Sequence, residues 1–241
     1  MERSEFVFEC QKTFEMNEMH CSAEQAALLY DLMIRMLEVN KSMNLTAITD
    51  EKAIILRHFV DSVTVSRYIP QNSRIIDVGC GAGFPTLPLA IFRPDLQITA
   101  LDGTAKRIRY VEETAHLLSL NNVTAIAGRA EEYAQDPLYR ERFDVVTARA
   151  VAALPMLSEL CLGFARVGGK MIAMKAQQAS EEMAAAKRAI SLCGGTFSEI
   201  VSCALVQDDV KEERNLVIIQ KNASTPKKYP RHFSQISKKP L

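Results

Sequence analysis

A glycine-rich stretch and two aspartates are the residues of this 241-residue chain whose types and spacing could bind a small molecule. Asp77 opens the stretch, which runs on to Phe84. Its glycines are Gly79, Gly81 and Gly83. Glycines allow sharp turns and a close approach of the backbone to a ligand. Asp102 follows 19 residues after the last glycine. A carboxylate there could accept both ribose hydroxyls of an adenosine-containing cofactor.

The spacing of the glycines favours one class of cofactor over another. Dinucleotide-binding loops have the pattern Gly-x-Gly-x-x-Gly, which places a pyrophosphate at a helix N-terminus. This chain has Gly-x-Gly-x-Gly, with Asp77 just before it. A carboxylate there would repel a pyrophosphate but suits a cation, so S-adenosylmethionine is favoured on charge. A nicotinamide dinucleotide, or a turn that binds nothing, is the alternative.

Alternating strand and helix patterns position these residues. The predicted strands are 74–78, 97–101, 123–127, 143–147 and 170–174, and the predicted helices are 85–92, 105–120, 151–166 and 178–192. This alternation predicts an α/β fold with a mostly parallel sheet and helices on both faces. Strands 196–206 and 215–220, joined by a charged turn at 208–214, have no helix between them and should form an edge hairpin. Ligands of such sheets bind at the carboxyl ends of the strands.

The two ends of the chain differ from this central region, 69–220. Residues 1–68 have helical patterns, with Ser22 and Gln25 placed as a capping box, and predict an N-terminal helical cap. Residues 221–241 carry six basic residues and no acidic one, although the whole chain balances 29 basic against 29 acidic residues. We therefore predict an extended basic tail that meets a polyanion at one place.

Composition excludes several classes of protein. The 48% of apolar residues is typical of a globular chain, and no apolar run is long enough to cross a membrane. The N-terminal sequence Met-Glu-Arg-Ser-Glu lacks the features of a signal peptide. The six cysteines have no metal-ligand spacing. We expect a cytoplasmic monomer with reduced thiols, no metal and no membrane contact.

Several short motifs lie around the glycine loop, and together they are more specific than the loop itself. They are residues 44–48, 58–62, 77–85, 129–131, 148–150 and 229–231. With these motifs the chain resembles the guanine-N7 methyltransferases of the small ribosomal subunit, also called glucose-inhibited division protein B. The resemblance runs from about residue 44 to residue 241. Thr86 departs from it, because a glycine is expected there.

The resemblance implies a fold, a reaction and a set of cofactor contacts. It implies a Rossmann-like S-adenosylmethionine-dependent methyltransferase fold, and methyl transfer to N7 of one guanine in the decoding region of 16S rRNA. Gly79 and Phe84 should line the cofactor pocket, and Asp102 should hold the ribose. Ala130 and Glu131 should lie against the adenine. Arg149 should lie where cofactor and substrate meet.

The chemistry of guanine N7 limits what the chain must supply. N7 has a lone pair and no proton, so its attack on a methyl group needs alignment and exclusion of water rather than a general base. No catalytic residue is therefore assigned, and Arg149 is the best candidate for positioning; the alternative is an ion pair with Glu131 or Asp77. The roles of His58 and Asp61 stay open between RNA contact and packing.

The candidates for RNA contact are basic residues and one aromatic residue. They are Lys106, Arg107, Lys227, Lys228, Tyr229 and Arg231. Cations meet phosphates, and aromatic rings stack on unpaired bases. Deleting residues 222–241 should then weaken binding to 16S rRNA or the 30S subunit and spare the cofactor. A methyltransferase with another substrate and a non-catalytic ribosome-binding factor are the alternatives.

Overall fold

The structure is a computed structural model that describes residues 1–176 and 179–241. Within these residues, seven strands form one sheet in the order β3-β2-β1-β4-β5-β7-β6. Strands β1 to β5 pair in parallel, β7 pairs antiparallel with β5, and β6 pairs antiparallel with β7. Their bounds are β1 (Arg74–Val78), β2 (Gln97–Asp102), β3 (Val123–Ala127), β4 (Phe143–Arg149), β5 (Ala165–Lys175), β6 (Gly195–Gln207) and β7 (Val210–Lys221). The predicted α/β fold with an edge hairpin is confirmed.

Helices cover both faces of this sheet. Their bounds are α1 (Arg3–Met16), α2 (Ala23–Met43), α3 (Glu51–Ile54), α4 (Asp61–Thr64), α5 (Thr86–Phe92), α6 (Ala105–Leu117), α7 (Ala130–Tyr133), α8 (Leu154–Leu162), α9 (Ala179–Leu192) and α10 (Phe233–Lys238). Consecutive strand residues point to opposite faces. Ile75 accordingly packs in the core cluster that contains Leu89 of α5, and Ile76 in the cluster that contains Leu160 of α8. No helix in the described ranges is long and apolar enough to cross a membrane.

The N-terminal helices pack directly on the glycine loop. Ser22 Oγ accepts the Gln25 N–H at 3.2 Å and Gln25 Oε1 accepts the Ser22 N–H at 2.9 Å, so the predicted capping box begins α2. A π-helical turn (Ile55–Val60) lies between α3 and α4. Such turns often occur at functional sites. Phe59 and Phe84 belong to one buried cluster, which joins the cap to the sheet domain.

The helix predicted at 151–166 is shorter than expected. Helix α8 ends at Leu162, and Gly168-Gly169 lies inside β5. The backbone at Gly169 is crowded, because a Cβ there would lie 2.7 Å from the Asp144 carbonyl oxygen. The glycine pair therefore allows a close strand pairing with β4, where the register shifts between Phe143 and Val145. For the helix predicted at 178–192, Gln178 lies outside the described residues.

The charged turn predicted at 208–214 is also mostly strand. The chain turns at Asp208-Asp209, and β7 already begins at Val210. The charges of this segment contact the cap: Arg57 Nε donates to Glu212 at 2.7 Å, and Lys12 Nζ to Asp208 at 2.7 Å. Ion pairs with residues far away in the sequence thus accompany a longer hairpin, whose strands include most of the segment that local sequence patterns predict to be a turn.

The C-terminal segment, residues 221–241, is not an extended tail. Lys221 ends β7 with its side chain fully buried, and its Nζ donates to the Leu162 carbonyl at 2.6 Å. Ile236 of α10 is also fully buried. Arg140 donates to the carbonyls of Thr225 and Tyr229 and fastens the segment to the domain. The prediction failed because the partners of these residues lie far away in the sequence.

Candidate functional site

Two cavities lie side by side at the carboxyl ends of β1, β2 and β4. The smaller cavity, about 290 Å³, is lined by Asp102 and Glu131. The larger cavity, about 560 Å³, is lined by Phe84 and Arg149. Gly79 lines both, so the glycine loop is their common boundary.

Position 79 requires a glycine because of its backbone angle and because a side chain lies close to it. Its φ is +75°, in the region that side chains disfavour. A Cβ at Gly79 would lie 2.6 Å from Val151 Cγ2. Gly83 is similar, with a φ of +85° and a Cβ position 2.6 Å from Leu87 Cδ1. Gly83 lines neither cavity and allows the loop to pack on α5, whereas Gly79 presents its backbone to both.

Asp102 holds the glycine loop and faces the smaller cavity. Its carboxylate accepts the Gly81 N–H at 3.0 Å and the Thr104 N–H at 2.8 Å. The residue is 8% exposed. An ionised carboxylate has about four acceptor positions. The two backbone bonds leave acceptor capacity for a pair of ligand hydroxyls, which is what a ribose offers.

Asp77 is fixed by packing rather than presented to either cavity. Its carboxylate accepts the Thr86 hydroxyl at 2.7 Å and the Thr147 hydroxyl at 3.1 Å, and the residue is 1% exposed. Burial raises the pKa of Asp77 to about 6, against the lowering effect of the two hydroxyls. Thr86, the departure from the family pattern, thus has a partner. A cofactor contact of Asp77 stays a prediction.

Asp77→Asn should change how stability depends on pH. The folded pKa of about 6 exceeds that of an unfolded carboxyl, near 3.9. Between these values the folded state binds the extra proton, so Asp77 makes the wild type less stable as pH rises. The Asp77→Asn variant lacks this loss of stability. Its free energy of unfolding in urea, relative to wild type, should rise by about 2–3 kcal/mol from pH 4 to pH 6.5.

Asp95→Asn is the matched control for this experiment. The Arg93 guanidinium lowers the pKa of Asp95 to about 2, so its contribution to stability changes mainly below pH 4. A difference between Asp77→Asn and wild type that stays constant from pH 4 to pH 6.5 would contradict the raised pKa of Asp77.

Ala130 and Glu131 reach the smaller cavity at the start of α7. Strand β3 pairs with β2, and the Gly128 N–H donates to the Asp102 carbonyl at 3.0 Å. This brings the start of α7 beside Asp102. Glu131 is 7% exposed, and its Oε1 accepts Arg129 Nε at 3.3 Å. The cavity thus combines an acidic edge with small and apolar walls.

Arg149 ends β4 and lies in the larger cavity. Its guanidinium donates to Asp61 Oδ2 and to the Arg57 carbonyl, each at 3.0 Å, and lies 5.3 Å from the Phe84 ring centroid. The acidic partner of Arg149 is therefore Asp61, and not Glu131 or Asp77 as the sequence analysis considered. This pair joins the end of β4 to the N-terminal helices at the cavity wall, and it fixes the position of the guanidinium.

His58 stacks on Phe84 in the same cavity. The ring centroids are 4.6 Å apart and the planes 12° apart. Thr46 Oγ1 lies 2.9 Å from His58 Nε2. Burial, and then the Arg149 charge, lower the pKa of His58 to about 4, so the imidazole is neutral at neutral pH. His58 and Phe84 thus form an uncharged stacked pair that lines the larger cavity beside the Arg149 guanidinium.

Further cations surround the larger cavity, and sequence reasoning missed them as site residues. They are Arg57, Lys175 and Arg214. Arg214 Nε lies 3.4 Å from Asp61 Oδ1, and Lys175 Nζ donates to the Ala152 carbonyl at 2.6 Å. Arg214 lies in the stretch predicted as a turn, so no local signal placed it here. The position of Arg57 beside the motif 58–62 was a hint that the sequence offered.

The predicted RNA-contact residues near Asp102 are accessible. Lys106 is exposed on α6. Arg107 lines the larger cavity, and its guanidinium lies 3.9 Å from Asp102 Oδ2. Both stand at the rim where a polyanion could approach, and their RNA contact stays a prediction.

The candidates in the C-terminal segment divide into two groups. Lys227 and Lys228 are exposed. Tyr229 is 7% exposed and belongs to the core, and Arg231 donates to Glu159 of α8 through Nε at 2.8 Å. Tyr229 could stack on a base only by leaving the core.

The described residues contain no group of three or more side chains that could hold a metal ion.

Comparisons of the sequence with known proteins identify its family. Residues 25–217 match the family described as GidB, rRNA small subunit methyltransferase G. A ribosomal RNA small subunit methyltransferase G of Clostridium novyi is 46% identical over 84% of this chain and 83% of its own length. A protein of the same name from Leuconostoc citreum is 43% identical over 90% of both chains.

Solved structures confirm the fold at lower identity. A SAM-dependent methyltransferase of Aquifex aeolicus is 16% identical, with a TM-score of 0.53 over 78% of this chain and 97% of that one. An O-methyltransferase of Bacillus cereus, solved in complex with SAH, is 16% identical, with a TM-score of 0.52 over 79% and 91% of the two chains. The fold is therefore the Rossmann-like methyltransferase fold. The chain belongs to the rRNA small subunit methyltransferase G family.

Proposed function

We propose that this protein transfers a methyl group from S-adenosylmethionine to N7 of a guanine in the decoding region of 16S rRNA. The observation that carries the proposal is the pair of cavities joined at Gly79, one with the Asp102 carboxylate and the other with Arg149 at its wall. Membership of the rRNA methyltransferase G family supports the rRNA substrate. The 30S subunit, or its rRNA, is then the partner, and the cytoplasm the place of action.

The smaller cavity suits the nucleoside part of the cofactor. Asp102 would accept the ribose hydroxyls, and Ala130 and Glu131 would lie beside the adenine. The backbone of Gly79 and Gly81 would border the remainder of the molecule. When bound, the cofactor supplies an electrophilic methyl group on a sulfonium. The chain supplies orientation and a site closed to water.

The larger cavity suits the base that receives the methyl group. Guanine N7 offers a lone pair and carries no proton, so no side chain has to remove one. A neutral His58 stacked on Phe84 fits this requirement, because it provides a flat surface without a charge. Arg57, Arg107 and Arg214 stand around the cavity and would meet the phosphates beside the base.

Methyl transfer from radiolabelled cofactor tests the proposal. The substrates are 30S particles, and naked 16S rRNA, from cells that lack this protein. We expect incorporation into the rRNA and cleavage at N7-methylguanine at one position. Arg149→Ala should lower kcat/KM about 100-fold, the order expected for removing a charged donor from an active site. Arg188→Ala, an exposed arginine of α9, is the matched control.

Two outcomes would replace the proposal. Incorporation into another base, or into a different class of molecule, would indicate a methyltransferase with another substrate. Binding to 30S particles without incorporation, by a protein that also fails to bind S-adenosylhomocysteine, would indicate a non-catalytic ribosome-binding factor. The unfolding temperature of Arg149→Ala should be measured as well, because Asp61 loses a partner in that variant.

A further inference from the structure

Phe233, from the C-terminal segment, lines the smaller cavity. It is the first residue of α10, more than 100 positions after Asp102 and Glu131 in the chain. The Arg129 guanidinium lies 4.3 Å from the centroid of its ring, and Arg129 also binds Glu131. An aromatic ring of the C-terminal segment is therefore tied to the start of α7.

The segment that carries Phe233 is fastened on both sides of it. Before Phe233, Arg231 binds Glu159 of α8 through its backbone N–H and its guanidinium. After it, Ile236 is fully buried in the cluster that contains Leu160. These contacts fix the position of Phe233 without any contribution from a bound RNA.

The walls of the smaller cavity have separate chemical characters. Asp102 presents the hydrogen-bond acceptors. Met156, Leu160 and Phe233 present apolar surface. A ligand with sugar hydroxyls at one end and a flat ring at the other matches this division, because nucleobases stack favourably on aromatic side chains.

We propose that the C-terminal segment is a cofactor-binding element in which Phe233 packs against the adenine and Arg129 holds the ring in place. This inference rests on the proposed function. It reverses the expectation that removing residues 222–241 spares cofactor binding, because removal takes away one wall of the cavity. The exposed Lys227 and Lys228 remain available to RNA.

Calorimetric titration with S-adenosylhomocysteine and with adenosine tests the inference. Phe233→Ala should raise both dissociation constants at least about 10-fold, which is about 1.4 kcal/mol. Gln235→Ala, an exposed residue of the same helix, should bind like wild type. An unfolding temperature close to wild type shows that Phe233→Ala keeps its fold. Equal affinities of Phe233→Ala and wild type would overturn the inference.

A second variant gives a spectroscopic readout that does not depend on activity. The chain has no tryptophan, so Phe233→Trp creates a single fluorophore in the cavity. S-adenosylhomocysteine should change its emission in proportion to occupancy, and homocysteine should not. An emission unchanged by saturating S-adenosylhomocysteine would exclude contact with the adenine. If wild type itself fails to bind S-adenosylhomocysteine, the proposed function fails instead.

Discussion

Replacing Asp102 with alanine should weaken the binding of S-adenosylhomocysteine about 100-fold. The carboxylate would make two hydrogen bonds to the ribose, and bonds to a charged group contribute ~1.5–3 kcal/mol each. Losing about 3 kcal/mol corresponds to a factor of about 100 in the dissociation constant. The same carboxylate binds the Gly81 and Thr104 N–H groups, so the glycine loop also loses its support. Calorimetry measures the affinity directly.

Two further variants separate the charge of Asp102 from its shape. Asp102→Asn keeps the size of the side chain and one acceptor oxygen. Its amide NH2 group, however, must face the backbone N–H of Gly81 or of Thr104, because each carboxylate oxygen of the wild type accepts one of them. Its affinity should therefore fall between wild type and Asp102→Ala. Asp209→Ala removes an exposed aspartate from the hairpin turn and should not change binding. Wild-type affinity in a folded Asp102→Ala variant would rule out Asp102 as the ribose-binding residue.

The sequence could predict that Asp102 lies at the ligand-binding edge of the sheet because a general rule governs it, whereas Ala130 and Glu131 were implied only by the family resemblance. Parallel strands bring their carboxyl ends to one edge of a sheet, so residues that follow consecutive strands become neighbours. The alternation of strand and helix patterns was sufficient to identify those strands. The glycine loop followed from the same rule, together with the conformational freedom of glycine.

Side-chain direction could not be predicted in the same way. Asp77 points to Thr147 of β4 and Thr86 of α5, and Arg149 points to Asp61 of the cap. Each pair is set by strand register or by packing between distant segments, which local pattern does not encode. The motif spacing predicted that Asp77 binds the cofactor, and it gave no sign of the two threonine hydroxyls that the carboxylate accepts in the structure.

The C-terminal segment shows why charge alone was misleading. Its cations suggested a solvated, RNA-binding tail, but two of them have carboxylate partners in the domain. Lys221 binds Glu141 at 3.1 Å, and Arg231 binds Glu159 at 2.7 Å. Glu159 lies on a mostly apolar helix, α8, and is fully buried. A buried carboxylate requires a partner. The sequence did not show which distant cation would supply it.

Arg231→Ala should have the largest effect on stability. It leaves the Glu159 carboxylate buried without its guanidinium, and breaking such a pair typically costs ~3–5 kcal/mol. Urea unfolding measures this loss. The double variant Arg231→Ala/Glu159→Gln removes the unpaired charge and should recover more than ~1 kcal/mol of it. Arg166→Ala is the control, because the Arg166–Asp144 pair is more exposed and should contribute less than about 1 kcal/mol.

The Arg231→Ala variant also tests whether the Arg231–Glu159 pair contributes to cofactor binding. If Arg231 holds the C-terminal segment against α8, its loss should displace Phe233, and the affinity for S-adenosylhomocysteine should fall as it does in Phe233→Ala. A loss of stability without a loss of affinity would show that Phe233 keeps its place through Ile236 and Arg129 alone. A stability equal to that of Arg166→Ala would show that Glu159 finds another partner, and that the Arg231–Glu159 pair does not fasten the segment.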